Sequence, residues 1–171
     1  MNIPVHLLGL GAMVSLFLIY QQKDRRRILL CKLSADVFWI AHYFLLGATA
    51  GMIPNLVGIF RELVFINRGK KKWASTPLWA ALFILINLTL GILSFDIWYD
   101  IIPIVASSFV TISLWINNPT LTKLITLPVC AAFLTYDIFV GSYMGILNES
   151  ISIVSIILFF IKKAKGDKRH A

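Results

Sequence analysis

Seven runs of apolar residues divide this chain, and its bases gather at one side of them. A helix that crosses the hydrocarbon of a bilayer needs about 20 residues, most of them apolar. It must also satisfy its own backbone polar groups, since lipid supplies no partners. Runs at about 4–20, 28–46, 52–67, 76–95, 101–116, 121–140 and 144–161 meet or approach that length. Charged residues make up only 14% of the chain and hydrophobic ones 58%, with a mean hydropathy of +0.82. A soluble domain carries about 25% charged residues. The expected fold class is therefore all-α, a polytopic membrane protein of seven transmembrane helices.

The bases set the orientation. Lys and Arg accumulate on the cytoplasmic side of membrane helices. Lys23, Arg25, Arg26 and Arg27 follow the first run, and Arg68, Lys70, Lys71 and Lys72 follow the third. The last run passes into a basic tail, 162–171. Lys32 and Lys123 lie near the same side, where long side chains reach back to the interface. The loops at 47–51, 96–100 and 141–143 hold no Lys or Arg; the second has Asp96 and Asp100. This predicts the N-terminus outside and the C-terminus inside. Trp73, Trp98 and Tyr99 fall where interfacial aromatics belong. The opening segment has no basic stretch before its apolar run and reads as a permanent span rather than a signal peptide.

The formal charge of +8 is explained by this distribution, so no nucleic acid is expected. The basic face suits anionic lipid headgroups. Cys31 and Cys130 lie in apolar runs without metal or disulfide spacing and read as reduced, buried residues. The three histidines are scattered, and no HExxH, G-x-S-x-G or Walker A motif is present. No enzymatic activity, metal or cofactor is expected.

The two ends of the chain echo each other. Gly47-Ala48-Thr49-Ala50-Gly51 corresponds to Gly141-Ser142-Tyr143-Met144-Gly145. Tyr43 stands four residues before the first turn and Asp137 four before the second, with Tyr136 adjoining. Gln21-Gln22 and Asn117-Asn118 end equivalent runs. The chain thus reads as one transmembrane domain: a triple-helix repeat at 4–67, a charge-free linker helix at 76–95, and a second triple-helix repeat at 101–161. A single linker between triplets makes the repeats parallel, related by an axis along the membrane normal.

This layout of three, one and three helices resembles the SWEET and PQ-loop group of small transporters. The proline-glutamine pair of the PQ-loop proteins is absent; Asn117-Asn118-Pro119 is the nearest echo. Along nearly its whole length the chain is more similar to the YgjV-type bacterial inner membrane proteins. That likeness lies in the opening IPVHLLGLGAMVSLFLIYQQKDRR and in KLSADVFWIAHYFLLGATAGMIPN. It implies a bacterial inner membrane location and carries no settled activity. The SWEET-like layout implies that an asparagine of the third helix and one of the seventh face a central pocket, as Asn55 and Asn148 would here.

Polar residues at membrane depth are costly and face the bundle interior or water. On the third run Gly51, Asn55, Gly58 and Glu62 form one stripe; on the seventh Gly145, Asn148 or Glu149, Ser152 and Ser155 form another. The second run adds Asp36, Trp39 and Tyr43, flanked by His42, and the fifth adds Ser107 and Ser108. Of these, Asp36, Trp39, His42, Tyr43, Asn55, Ser107, Ser108 and Asn148 form the expected pocket. Amides and hydroxyls both donate and accept, which suits a neutral hydrogen-bonding solute. Arg61, Glu62, Asp137 and Glu149 are expected as a gate or ion pairs. The same small residues also suit ordinary helix packing in membranes.

The leading expectation is a small SWEET-like transporter of a polar solute; the alternative is a non-transporting scaffold, assembly or lipid-sensing protein. Expected partners are the lipid bilayer, anionic headgroups, the solute and, in a homo-oligomer, a second copy. The topology is open to direct measurement in a background lacking both native cysteines. A cysteine replacing Asp96 should react with an impermeant maleimide on intact cells. One replacing Lys71 should react only after the membrane is opened, and the reverse pattern would invert the orientation.

Overall fold

The computed structural model describes residues 3–21, 25–116 and 118–167. Among them are seven α-helices: α1 (Ile3–Gln21), α2 (Arg25–Leu45), α3 (Thr49–Phe65), α4 (Leu78–Leu93), α5 (Ile101–Trp115), α6 (Pro119–Val140) and α7 (Tyr143–Asp167). Gln22, Lys23, Asn117 and residues 168–171 of the basic tail lie outside the described residues. Four segments are long and apolar enough to cross a membrane: Arg26–Leu45, Trp98–Trp115, Thr120–Val140 and Tyr143–Ala164. Ile3–Leu18 and Leu78–Leu93 are shorter apolar helices. The remaining helix, α3, carries the buried pair Arg61 and Glu62.

Several ends differ from the sequence expectation. The fourth helix is shorter, because Pro77 precedes it and Ser94 closes it. The second begins earlier, at Arg25, and the seventh runs on through Lys162 and Lys163 to Asp167. Lys162 and Lys163 near the end of α7 complement the partial negative charge there, and the helix continues to Asp167.

Both tight turns are built alike. Gly47 and Gly141 adopt the left-handed conformation, with φ of 68° and 71°. Only glycine takes that conformation without steric cost. The Ala48 N–H donates to the Tyr43 carbonyl at 2.9 Å, and the Ser142 N–H to the Asp137 carbonyl at 2.9 Å. Met52 N then donates to Ala48 O, as Ile146 N does to Ser142 O. The shift from 47 to 141, 94 residues, carries every member of the first turn onto the second. The same shift carries the start of α2 at 25 onto the start of α6 at 119.

The helices pack in chain order. The middle helix α2 lies between α1 and α3, and α6 lies between α5 and α7. Contacts of α1 with α7 and of α3 with α5 close these six helices into a ring. Helix α4 packs against α3 and α5. Its docking is specific: the buried Asn87 Nδ2 donates to the Ile104 carbonyl at 2.7 Å and contacts Ser108 Oγ at 3.3 Å. Gly91 lies where a Cβ would come within 2.6 Å of Ile104 Cγ1.

Polarity is inverted relative to a soluble protein. Leu7, Leu78, Leu93 and Ile138 are exposed, while Asp36, His42, Glu62 and Asn87 are fully buried. An apolar surface over a polar interior is stable only where lipid replaces water outside. At the end bearing the basic loops, Trp79 Nε1 donates to the Trp73 carbonyl, and the Arg68 guanidinium lies 3.8 Å over the Trp115 ring. At the opposite end, Trp98 and Tyr99 pack on Phe139. Gly91→Leu should lift α4 from Ile104 and destabilise the protein by about 1–3 kcal/mol, seen as a lower melting temperature in detergent. An unchanged melting temperature would show that α4 is not tightly docked.

Candidate functional site

The end of the bundle carrying the two tight turns is sealed by polar side chains. Helix α2 presents His42 and Tyr43 there because both fall in its last turn, just before Gly47. Tyr43 OH donates to Asp137 Oδ1 at 2.7 Å. Tyr136 OH accepts from the Gly51 backbone N–H at 2.8 Å. His42 bridges the Val5 carbonyl at 2.9 Å and Ser142 Oγ at 2.8 Å. These contacts join α1, α2, α3, α6 and the turn that leads into α7. The glycines at this level permit the approach: a Cβ on Gly51 would stand 2.8 Å from the Tyr136 ring, and one on Gly145 would collide with the Asp137 carboxylate.

Toward the basic end a charge network joins α2, α3 and α5. Lys32 pairs with Asp36 one turn along α2. Arg61 Nη2 meets Glu62 Oε1 at 3.1 Å, and Arg61 Nη1 donates to Thr111 Oγ1 at 2.9 Å. Thr111 Oγ1 donates in turn to the Ser107 carbonyl. Gly58 lets α3 close on α2, since a Cβ there would lie 2.6 Å from Asp36 Oδ2. Asp36 Oδ2, Arg61 Nε and Glu62 Oε2 are buried without hydrogen-bond partners. Removing one member of such a group leaves an uncompensated buried charge and costs about 3–5 kcal/mol.

Between the seal and this network lies a cavity of about 250 Å³. Every helix of the ring contributes to it: Leu16 from α1, Lys32, Trp39 and Tyr43 from α2, and Pro54, Asn55 and Arg61 from α3. The opposite wall holds Ser107 and Ser113 from α5, Thr126, Cys130 and Phe133 from α6, and Asn148, Glu149 and Ser152 from α7. Leu114 and Thr122 carry the lining toward the basic end. Asn55 Nδ2 donates to Gly51 O at 2.8 Å, leaving its carbonyl oxygen as the free end. Asn148 Nδ2 donates to Glu149 Oε1 at 2.8 Å, and the Cys130 thiol lies near the same carboxylate.

Of the residues singled out in the sequence, the cavity wall therefore unites Trp39, Tyr43, Asn55, Arg61, Ser107, Asn148 and Glu149. Asp36 and Glu62 stand behind it as ion-pair partners. Asp137 and His42 belong to the seal. Ser108 turns away to Asn87 of α4. Residues not singled out for the site also line it: Lys32, Thr126, Cys130 and Phe133. Lys32 was legible, since it lies four residues before Asp36 on one helix face. The 94-residue shift of the turns pairs wall residues across the cavity: Lys32 with Thr126, Trp39 with Phe133, and Asn55 with Glu149. Asn148 stands one place away from the position that matches Asn55.

Two further spaces border the bundle. One of about 530 Å³ lies at the turn end, lined by Ala48, Thr49, Asp96, Asp100, Tyr136 and Phe139. Tyr136 and Tyr43, with ring centroids 6.1 Å apart, stand between it and the central cavity. The other, about 590 Å³, is an apolar groove between α5 and α6. Among the described residues no group of three or more His, Cys, Asp or Glu gathers to hold a metal ion.

No curated protein and no solved structure matches the chain. One family matches, Imp-YgjV, described as bacterial inner membrane protein, and it covers residues 5–166. An apolar exterior, helices long enough to cross a bilayer and this match over nearly the whole length lead to one conclusion: the chain belongs to the Imp-YgjV family of bacterial inner membrane proteins.

Proposed function

We propose that this protein is a seven-span transporter of a small polar solute, built from two parallel triple-helix repeats and a linker helix. The observation that carries the reading is the central cavity: six helices contribute to its wall, and α4, the proposed linker, contributes none among the described residues. A packed scaffold has no need of such a space in the middle of its polar core. The 94-residue correspondence of the turns, and of Lys32, Trp39 and Asn55 with Thr126, Phe133 and Glu149, supports the repeat.

The mechanism follows from which end is shut. Tyr43–Asp137, Tyr136–Gly51 and His42–Ser142 close the turn end, while the lining extends through Ser113 and Thr122 toward the basic end. With the basic loops on the cytoplasmic side, this is an inward-facing arrangement. Transport then requires the α1–α3 and α5–α7 walls to rock about the solute and to break the seal, in the manner of repeat-based alternating access. The seal is suited to that task, because its bonds run between the two walls and its glycines allow sliding contact. The exposed Lys70, Lys71 and Lys72 beside Trp73 support a second role for the basic face, contact with anionic headgroups.

Two measurements test this. A ligand that binds the folded state raises its melting temperature by mass action. In a screen of sugars, nucleosides, amino acids and amines, a stabilising solute should lose its effect in the Asn55→Ala, Asn148→Ala double variant. Retained stabilisation would remove these amides from the site, and no stabilisation by any compound would favour a scaffold. Cys130, facing the cavity, reports access in a Cys31→Ser background. An impermeant methanethiosulfonate should modify it faster in inside-out vesicles than in intact cells. Tyr136→Phe should raise the rate in cells several-fold, and equal rates from both sides would refute the one-sided seal.

A further inference from the structure

The transport reading leaves the chemical class of the solute open, and the charges around the cavity bear on it. Lys32 and Arg61 both face the space, but each is already neutralised: Lys32 by Asp36, and Arg61 by Glu62. Glu149 has no such partner. Its carboxylate accepts from the Asn148 amide and lies near the Cys130 thiol, both neutral, and among the described residues no base lies within ion-pair distance of it. Lys32 acts on it only at longer range. The α5–α7 wall offers no other charged lining residue. Lys32, Asp36, Arg61, Glu62 and Glu149 together leave one negative charge on the cavity surface, and the Asp137 carboxylate, held behind the wall by Tyr43 OH, adds to the same sign.

Aromatic rings face the same space. Trp39 and Phe133 occupy matched positions on the two walls, and Tyr43 stacks near Trp39 with a centroid separation of 5.7 Å. An aromatic face attracts a cation through its quadrupole, and desolvation strengthens that attraction. A half-buried carboxylate such as Glu149, facing a cavity at membrane depth, likewise gains more from a countercharge than from a neutral hydrogen bond. The Asn55 carbonyl oxygen, unused by its own helix, adds an acceptor opposite Glu149.

We infer that the cavity binds a small organic ammonium ion, with Glu149 as its countercharge and Trp39, Tyr43 and Phe133 as its aromatic walls. The inference rests on the proposed solute site and narrows it from any polar molecule to a cation. It also replaces the neutral solute that the amides alone suggested, because Glu149 shares the wall with them.

The test uses purified full-length protein, with radiolabelled choline and ethanolamine as probes and 3,3-dimethyl-1-butanol as the uncharged isostere of choline. At least one probe should bind, and the isostere should compete at least about tenfold more weakly than choline, as expected when a partly buried charge pair is lost. Glu149→Gln preserves shape and the Asn148 contact and should weaken binding by a similar factor. Phe133→Leu should weaken choline binding while the protein stays monodisperse. An isostere that competes as well as choline, or a Glu149→Gln protein that binds undiminished, would overturn the cation assignment and leave a solute site standing. The same holds if neither probe binds but a neutral solute stabilises the protein through Asn55 and Asn148. If no compound of any charge binds, both the cation and the transporter readings fall. The comparison of choline with its isostere needs no variant, so it decides the matter even if Glu149→Gln fails to fold.

Discussion

A bilayer offers no hydrogen bonds, and the architecture follows from where this chain satisfies its polar groups. Arg61 reaches Glu62 on its own helix and Thr111 on α5, while Lys32 holds Asp36 against Gly58 of α3. Each side chain would be intolerable facing lipid. Turned inward, they fix the rotation of α2, α3 and α5 about their axes, because rotating any of the three would strand a charge. The apolar residues contribute little of this specificity. Leu and Ile on the outer faces are equally content against lipid in many orientations, so the polar minority sets the arrangement.

The seal at the turn end uses a different kind of bond. Tyr43, Tyr136 and His42 meet carboxylate, amide and hydroxyl partners, so each contact is a single hydrogen bond of modest net strength. In membranes such bonds average about 0.6 kcal/mol. The charge network is costly to break and the seal is cheap. The strength with which the helices are held together thus falls along the bundle from the basic end to the turn end.

Much of this was legible in the residues. The apolar runs separated by Arg68, Lys70, Lys71 and Lys72 and by loops without bases give the seven helices and their order. The glycine turns were visible as repeated spacing, and their left-handed conformation at Gly47 and Gly141 is what made glycine necessary. The inward stripe on α3 was also readable, because membrane depth punishes a polar residue that has no reason to be there; on α7 the stripe holds through Gly145, Asn148 and Ser152 but fails at Ser155, which is exposed. What could not be read was which polar residues share a space. Ser107 and Ser108 are adjacent in sequence, yet one lines the cavity and the other binds Asn87. Their roles are separated by the roughly 100° between successive residues of a helix, and neighbouring helices decide which direction is inward. Phe133 and Cys130 were hidden for the opposite reason: apolar residues look alike whether they meet lipid or a cavity.

The placement of α4 beside the ring, with no part in the cavity wall, bears on the parity of the site. Two identical halves assembled without a tether can present their side chains only in pairs: two carboxylates or none, two amides or none. A single covalent chain escapes that restriction. Here one wall carries an amide, Asn55, where the other carries an acid, Glu149. An odd number of charges is open to the cavity because both walls lie in one chain, where each position is free to differ from its counterpart.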